Sequence, residues 1–257
     1  MKNIAVDTHV HLHPGMDAAT CLDAAAGQMP GAGGDLQGVL MLTEMTGQDA
    51  FGALTDGGGW TIRPTDEPMS KLATGPDGTR LAVIAGRQIV TGEGLEVLAL
   101  GLMDDPGDGQ PLGRVIDAVV AAGALAVLPW GVGKWTGRRG ALIDALIAER
   151  AGAHDLFLAD SGVRPAFAPR PARLARAEEA GWRVLAGTDP LPLPGEEAKP
   201  GRYGVLLDVD PGSDRPFERI AAALRALTVS PPTYGRLESG PRFLHRQVAM
   251  QRRKRFG

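Results

Sequence analysis

The sequence predicts an α/β protein built on a largely parallel sheet, and three observations carry that expectation. Short apolar runs recur along the 257 residues without the alternation of a half-exposed strand, as strands covered on both faces require. Segments with helical spacing lie between several of these runs. A length near 250 fits one α/β barrel or two small domains, and no composition shift or fixed-period repeat marks a boundary. A single domain over 1–257 is therefore expected, with a basic C-terminal tail at about 240–257.

The expected strands are Ile4 to Val6, Gly38 to Leu42, Leu81 to Ile84, Leu95 to Leu100, Leu125 to Leu128, Leu156 to Leu158, Trp182 to Leu185 and Tyr203 to Leu207. Helical spacing runs over Leu112 to Ala122, Arg139 to Ala151, Pro171 to Ala180 and Arg215 to Leu227. Gly52 to Gly78 breaks the rhythm with Gly57-Gly58-Gly59, Pro64, Pro68 and Pro76, and reads as a long surface excursion. Pro190 to Gly201, with Pro190, Pro192, Pro194 and Pro200, reads as a second long loop. Loops of this length are functional lids or insertions. The tail's Gln251-Arg252-Arg253-Lys254-Arg255 reads as a solvated basic cluster.

Composition narrows the function classes. The balance of 27 Lys+Arg against 30 Asp+Glu, a formal charge of -3, argues against broad nucleic-acid binding. Cys21 is alone, which excludes an internal disulfide and a Cys-rich metal site; its Ala-rich, helical surroundings predict burial. No run approaches the roughly 18 apolar residues of a membrane helix. The polar start Met1-Lys2-Asn3 is unlike a signal peptide, so no membrane partner and a cytoplasmic location are expected.

The chemistry concentrates in Val6-Asp7-Thr8-His9-Val10-His11-Leu12-His13, where three of the five histidines fall within five residues. Alternation in a strand turns His9 and His11 to one side, and Asp7 with them. At the C-terminal mouth of a barrel such a pair holds Zn, Mn or Fe, with Asp7 placed to orient a ligand. His13, beside Pro14 and Gly15, reads as a loop residue. A third ligand is needed, and Asp189 in Gly187-Thr188-Asp189 follows a late strand, where a carboxylate can close the ring. Asp160 also ends an expected strand and can serve as an acid or base. Arg87, Lys134, Arg164 and Arg202 lie at strand ends and form an anion pocket if they face one mouth. Trp130 and Trp135 flank Lys134 and read as core at a loop base.

Other motifs fail. Gly133-Lys134 is followed by Trp135, not Ser or Thr, so no phosphate-cradling loop of the Walker type is present. Ser161 lacks the glycine of a nucleophile elbow. Gly31-Ala32-Gly33 precedes a strand, where a dinucleotide fingerprint must follow one.

Asp7-Thr8-His9-Val10-His11, the middle segment Gly86-Arg87-Gln88-Ile89-Val90-Thr91-Gly92-Glu93-Gly94-Leu95-Glu96-Val97-Leu98-Ala99-Leu100-Gly101, and Gly187-Thr188-Asp189 together resemble the polymerase and histidinol phosphatase (PHP) superfamily. The resemblance spans about residues 1 to 210 in order and spacing. It implies a distorted (β/α)7 TIM-like barrel and phosphoester hydrolysis through a metal-activated water, with one or more divalent ions. It adds Asp17, six residues beyond His11, as a ligand.

The chain also departs from that pattern. Thr43-Glu44-Met45 stands where the family has Thr-Asp-His, Gln88 where it has a Glu ligand, and Glu96 in place of a histidine. Leu128-Pro129-Trp130 replaces Ala-His-Pro, and Thr188-Asp189-Pro190-Leu191 replaces Ser-Asp-Ala-His. Glu44, Gln88 and Glu96 remain possible oxygen ligands, but the usual trinuclear cluster cannot be assembled. The leading expectation is a metal-dependent hydrolase of a small anionic substrate, with Arg87 or Lys134 stabilising developing negative charge. The alternatives are a catalytically inactive barrel that binds a ligand or partner, and an amidohydrolase-type C–N or C–O hydrolase, because the opening motif is shared with that superfamily.

Overall fold

The computed structural model describes residues 3–31 and 35–256, with side chains as far as Gln251. Its strands are β1 (Asn3–Val10), β2 (Gly38–Leu42), β3 (Glu44–Met45), β4 (Thr61–Pro64), β5 (Ser70–Thr74), β6 (Arg80–Ile84), β7 (Gly86–Val90), β8 (Glu96–Leu100), β9 (Leu125–Pro129), β10 (Leu156–Ser161), β11 (Val184–Gly187), β12 (Tyr203–Asp208) and β13 (Thr233–Gly235). Its helices are α1 (Ala18–Gln28), α2 (Ala50–Ala53), α3 (Leu112–Ala121), α4 (Gly137–Glu149), α5 (Ala172–Glu179), α6 (Pro216–Arg225) and α7 (Gly240–Phe256). No helix among the described residues is long and apolar enough to cross a membrane.

The four helices read from spacing form within two residues of their expected ends, because each presents an apolar face. In α3 the buried set is Leu112, Val115, Ile116 and Val119, the i, i+3, i+4, i+7 stripe of an amphipathic helix. In α6, Pro216 sits at the first turn, where its missing N–H costs nothing, and Phe217, Ile220, Ala221 and Leu224 face inward.

Ladders join the strands into two sheets, of order β13-β12-β1-β2-β6-β5-β4 and β11-β10-β9-β8-β7-β3. The expected parallel run is present only in part. β1-β2-β6 and β9-β10-β11 are parallel, whereas β12 runs antiparallel to β1, and β8 is antiparallel to both its neighbours.

Three apolar layers follow. Val6, Met41, Leu98, Val127, Phe157 and Val205, from both sheets, form one layer with Phe217 and Ile220 of α6. The second sheet packs its other face on α3, α4 and α5, and the first packs its other face on α1 and Phe51. Trp135 is buried within the second layer, and Trp130 packs against it. Cys21 is buried on α1, as expected.

The two sheets touch at two seams. At one, the Asp189 N–H donates to the His9 carbonyl at 2.8 Å and Thr8 Oγ1 to the Ala186 carbonyl at 3.0 Å. A Cβ on Gly187 would overlap His9, so only glycine lets β11 approach β1 this closely. At the other, the chain crosses between sheets at Ala85, whose carbonyl accepts from the Gly101 N–H at 2.8 Å.

Two sequence expectations change here. Gly52 to Gly78 is not merely a surface excursion: β4 and β5 form an antiparallel hairpin that extends the first sheet, with Trp60 and Ile62 buried. The region from 240 onward is largely helix α7, although the side chains of Arg252, Arg253, Lys254 and Arg255 lie outside the described residues.

Candidate metal centre

The site begins with an irregularity in β1. Asp7 pairs with Leu40 and Val10 with Leu42, so three steps on β1 match two on β2. Leu40, Leu42 and Val10 all pack in the α1 layer. The bulge therefore returns Val10 to the face that Asp7 occupies, and His9 and His11, which alternate with Val10, turn the opposite way. The expected pairing of His9 with His11 holds, whereas Asp7 is not on their side.

Asp7 instead ties the ligand-bearing segments together. Its carboxylate accepts from the Thr188 N–H at 2.8 Å, the Gly201 N–H at 2.9 Å, the His9 N–H at 3.3 Å and the Thr188 hydroxyl. Full burial pushes it up to about 7 against the pull of those donors.

His9, His11 and Asp189 converge, with one donor atom of each lying within 4.8 Å of the others. His9 Nε2 and His11 Nε2 are 3.0 Å apart, and Asp189 Oδ1 stands 3.6 Å from the first and 3.8 Å from the second. That nitrogen separation is less than two zinc–imidazole bonds of ~2.0–2.1 Å, so one ion can reach both rings. The rings meet edge to face at 4.9 Å, and His13 stacks on His11 at 4.9 Å while its Nε2 lies 2.9 Å from the Pro190 carbonyl.

Two of the three donors are held in the unprotonated form. Burial first, and then His9, push His11 well below the ordinary imidazole value, which keeps it in the neutral form a metal requires. Burial alone would raise Asp189, but His9, Lys134 and His11, with the Ser161 hydroxyl, hold it down at about 2. Ser161 Oγ donates to Asp189 Oδ2 at 2.9 Å and leaves Oδ1 to face the imidazoles. The ladder explains how: Ser161 pairs with Gly187, two residues before Asp189. Sequence reasoning missed this role, since it examined Ser161 only as a nucleophile.

The remaining candidates are engaged elsewhere. Asp17 caps α1, accepting from the Thr20 N–H at 2.9 Å and the Thr20 hydroxyl at 2.6 Å, an arrangement that suits an N-cap. Glu44 is buried, bonded to the Phe51 N–H at 2.5 Å and to Arg87 at 3.1 Å. Arg87 also donates to the carbonyls of Gln48 and Met103, so it fastens loops instead of facing the cluster. Gln88 lies on β7 opposite Leu98. Asp160 is held bidentately by Arg164, at 2.9 and 2.7 Å, and accepts from Tyr203 at 3.3 Å. Arg202 lies 3.6 Å from Glu238. Glu96 pairs with Lys134, whose charge acts on both Asp189 and His11. Of the four strand-end cations, Lys134 thus has a field at the cluster.

No protein-family model and no curated protein matches this chain. Among solved structures, the crystal structure of PsfC from Pseudomonas syringae PB-5123 is similar, with a TM-score of 0.59 and 18% sequence identity. The likeness covers 98% of this chain and 99% of that one, and at this identity it shows a shared fold alone.

Proposed function

We propose that the chain is a metal-dependent hydrolase on a distorted (β/α)7 barrel of the PHP type, acting on a phosphoester or similar small anionic molecule. The observation that carries this reading is the convergence of His9, His11 and Asp189 within 4.8 Å, with both histidines buried and Asp189 half-buried. The seams where the two sheets touch and the layer they enclose support the barrel reading. Zn, Mn or Fe held there would lower the pKa of a water and polarise a phosphoryl or carbonyl oxygen. His9 and His11 would supply neutral nitrogen donors and Asp189 one oxygen. Ser161, by holding Asp189 Oδ2, would leave Oδ1 to the ion, and Lys134, balanced by Glu96, would attract the substrate anion.

Elemental analysis of protein expressed with Mn, Fe and Zn supplied, beside a His9→Ala/His11→Ala variant, tests the centre. About one equivalent that vanishes in the variant is expected; no metal in either protein overturns the reading. Turnover on a phosphoester panel, dependent on His9, tests the chemistry, whereas turnover confined to amides or lactones would assign the site to C–N or C–O hydrolysis.

A specific observation favours a second reading, a barrel that binds metal or ligand without turnover. Asp160 and Arg87 are each locked to a partner, and the Nδ1 atoms of His9 and His11 are buried without a hydrogen-bond partner, unlike the oriented imidazoles usual at catalytic metals. Metal binding with no turnover across the panel would establish it.

A further inference from the structure

A concentration of positive charge lies along the loop that follows Asp189. That loop, residues 190–202, and the first turns of α7 bound a cavity of about 880 Å³, within the size range of small-molecule sites. Lys199, Arg202, Arg236, Arg242 and Arg246 line it, against the single lining carboxylate Glu196 and the buried Glu238 beside it. Five cations therefore face two carboxylates.

The two acids already have partners. Glu196 takes Arg246 at 2.6 Å and Lys199 at 3.4 Å, while Glu238 takes Lys199, Arg246 and, at 3.6 Å, Arg202. Arg236 and Arg242 have no carboxylate partner among the described residues. Arg202, half-buried, is pushed below the ordinary guanidinium value by burial and then by the charges of Arg242 and Arg236, so both lie close enough to repel it. A concave wall with three surplus positive charges is complementary to a multiply charged anion. Planar guanidinium forks match phosphate oxygens two at a time.

We propose that this cavity is a second anion site, which takes a small molecule bearing a diphosphate or triphosphate group through Arg202, Arg236 and Arg242. It is separate from the metal centre, since none of its lining residues is His9, His11 or Asp189. It shares with that centre the loop, whose Leu191 N–H is held by Glu196 at 3.0 Å.

The test is calorimetric titration of sodium pyrophosphate into chelator-treated full-length protein at ~150 mM salt, where surface charge is screened beyond about 8 Å. Inorganic phosphate and a short single-stranded DNA are run beside it. Saturable one-to-one binding is expected, tighter for pyrophosphate than for phosphate and weakened at least about tenfold in Arg236→Gln/Arg242→Gln. Both side chains are exposed, so the variant should fold as the parent does, which circular dichroism checks. Binding should persist in His9→Ala/His11→Ala. Equal binding by the arginine variant, loss in the histidine variant, or no saturable binding at this salt overturns the proposal. DNA binding tighter than pyrophosphate also overturns it and assigns the surface to nucleic acid.

Discussion

Asp189 supplies the centre's negative charge from a left-handed backbone conformation, with φ of 55°, the one such non-glycine among the described residues. Aspartate tolerates that region better than most residues, and non-glycine strain of this kind concentrates at functional positions. Its N–H is tied to His9 and its Oδ2 to Ser161, so the strain is fixed from both sides. Ser161→Ala frees the carboxylate to rotate and should weaken metal binding by about 10- to 100-fold, read by competition with a chromogenic chelator. Undiminished affinity would show that Ser161 does not position the ligand. Cys21 gives a prediction of another kind. Burial, then Glu197 and Asp17, raise its thiol from 9.0 to about 12. Between those values the unfolded chain has lost a proton that the native chain keeps, so this thiol's contribution to stability falls as pH rises, by about 1.4 kcal/mol per unit at most. Cys21→Ala should flatten the decline measured by denaturant unfolding between about pH 9 and 11; parallel curves would refute the assignment. The histidines were readable from alternation because their pairing is local. Ser161 was not, since its role arises where β10 pairs with β11.

At the scale of elements, close approach between strands positions the site. The bulge in β1 and the bare backbone of Gly187 bring β1 against β11, and the Asp189 N–H to His9 carbonyl bond crosses that contact. Gly187→Ala would force the strands apart. It should destabilise the fold by about 1–3 kcal/mol and reduce bound metal in proportion to the displaced Asp189, measured by denaturant unfolding and elemental analysis. An unchanged unfolding midpoint with full metal content would show that the seam is looser than its contacts imply. Strands and helices with continuous apolar runs or helical stripes were legible in the sequence, as α3 and α6 illustrate. The hairpin of β4 and β5 was hidden because Gly57 to Gly59 and the nearby prolines dominate its signal, while the burial of Trp60 and Ile62 depends on the α1 layer. The bulge left no mark in the sequence either, since Asp7, His9 and His11 sit at a spacing that regular alternation also explains.

On the scale of the whole molecule, the candidate ligands come from both sheets: His9 lies on β1 and His11 just past its end, and Asp189 follows β11 in the other sheet. A cation held by all three therefore cross-links the sheets at the seam and is bound by the native state and not by the unfolded chain. Stability should then rise as RT ln(1 + [M]/Kd), about 2.7 kcal/mol when the free ion is 100 times Kd. For a chain of this size, with each kcal/mol worth about 2–4 °C, the melting temperature should climb by roughly 5–11 °C. The same ion should leave the His9→Ala/His11→Ala variant at its metal-free melting temperature. Scanning calorimetry across a Zn or Mn titration measures both proteins under one condition. Equal shifts in the two would locate the metal elsewhere on the surface. No shift in either, at concentrations where elemental analysis finds the wild type loaded, would mean that the ion does not bridge the sheets. That outcome would detach Asp189 from the ligand set and leave His9 and His11 as a local pair at the end of β1.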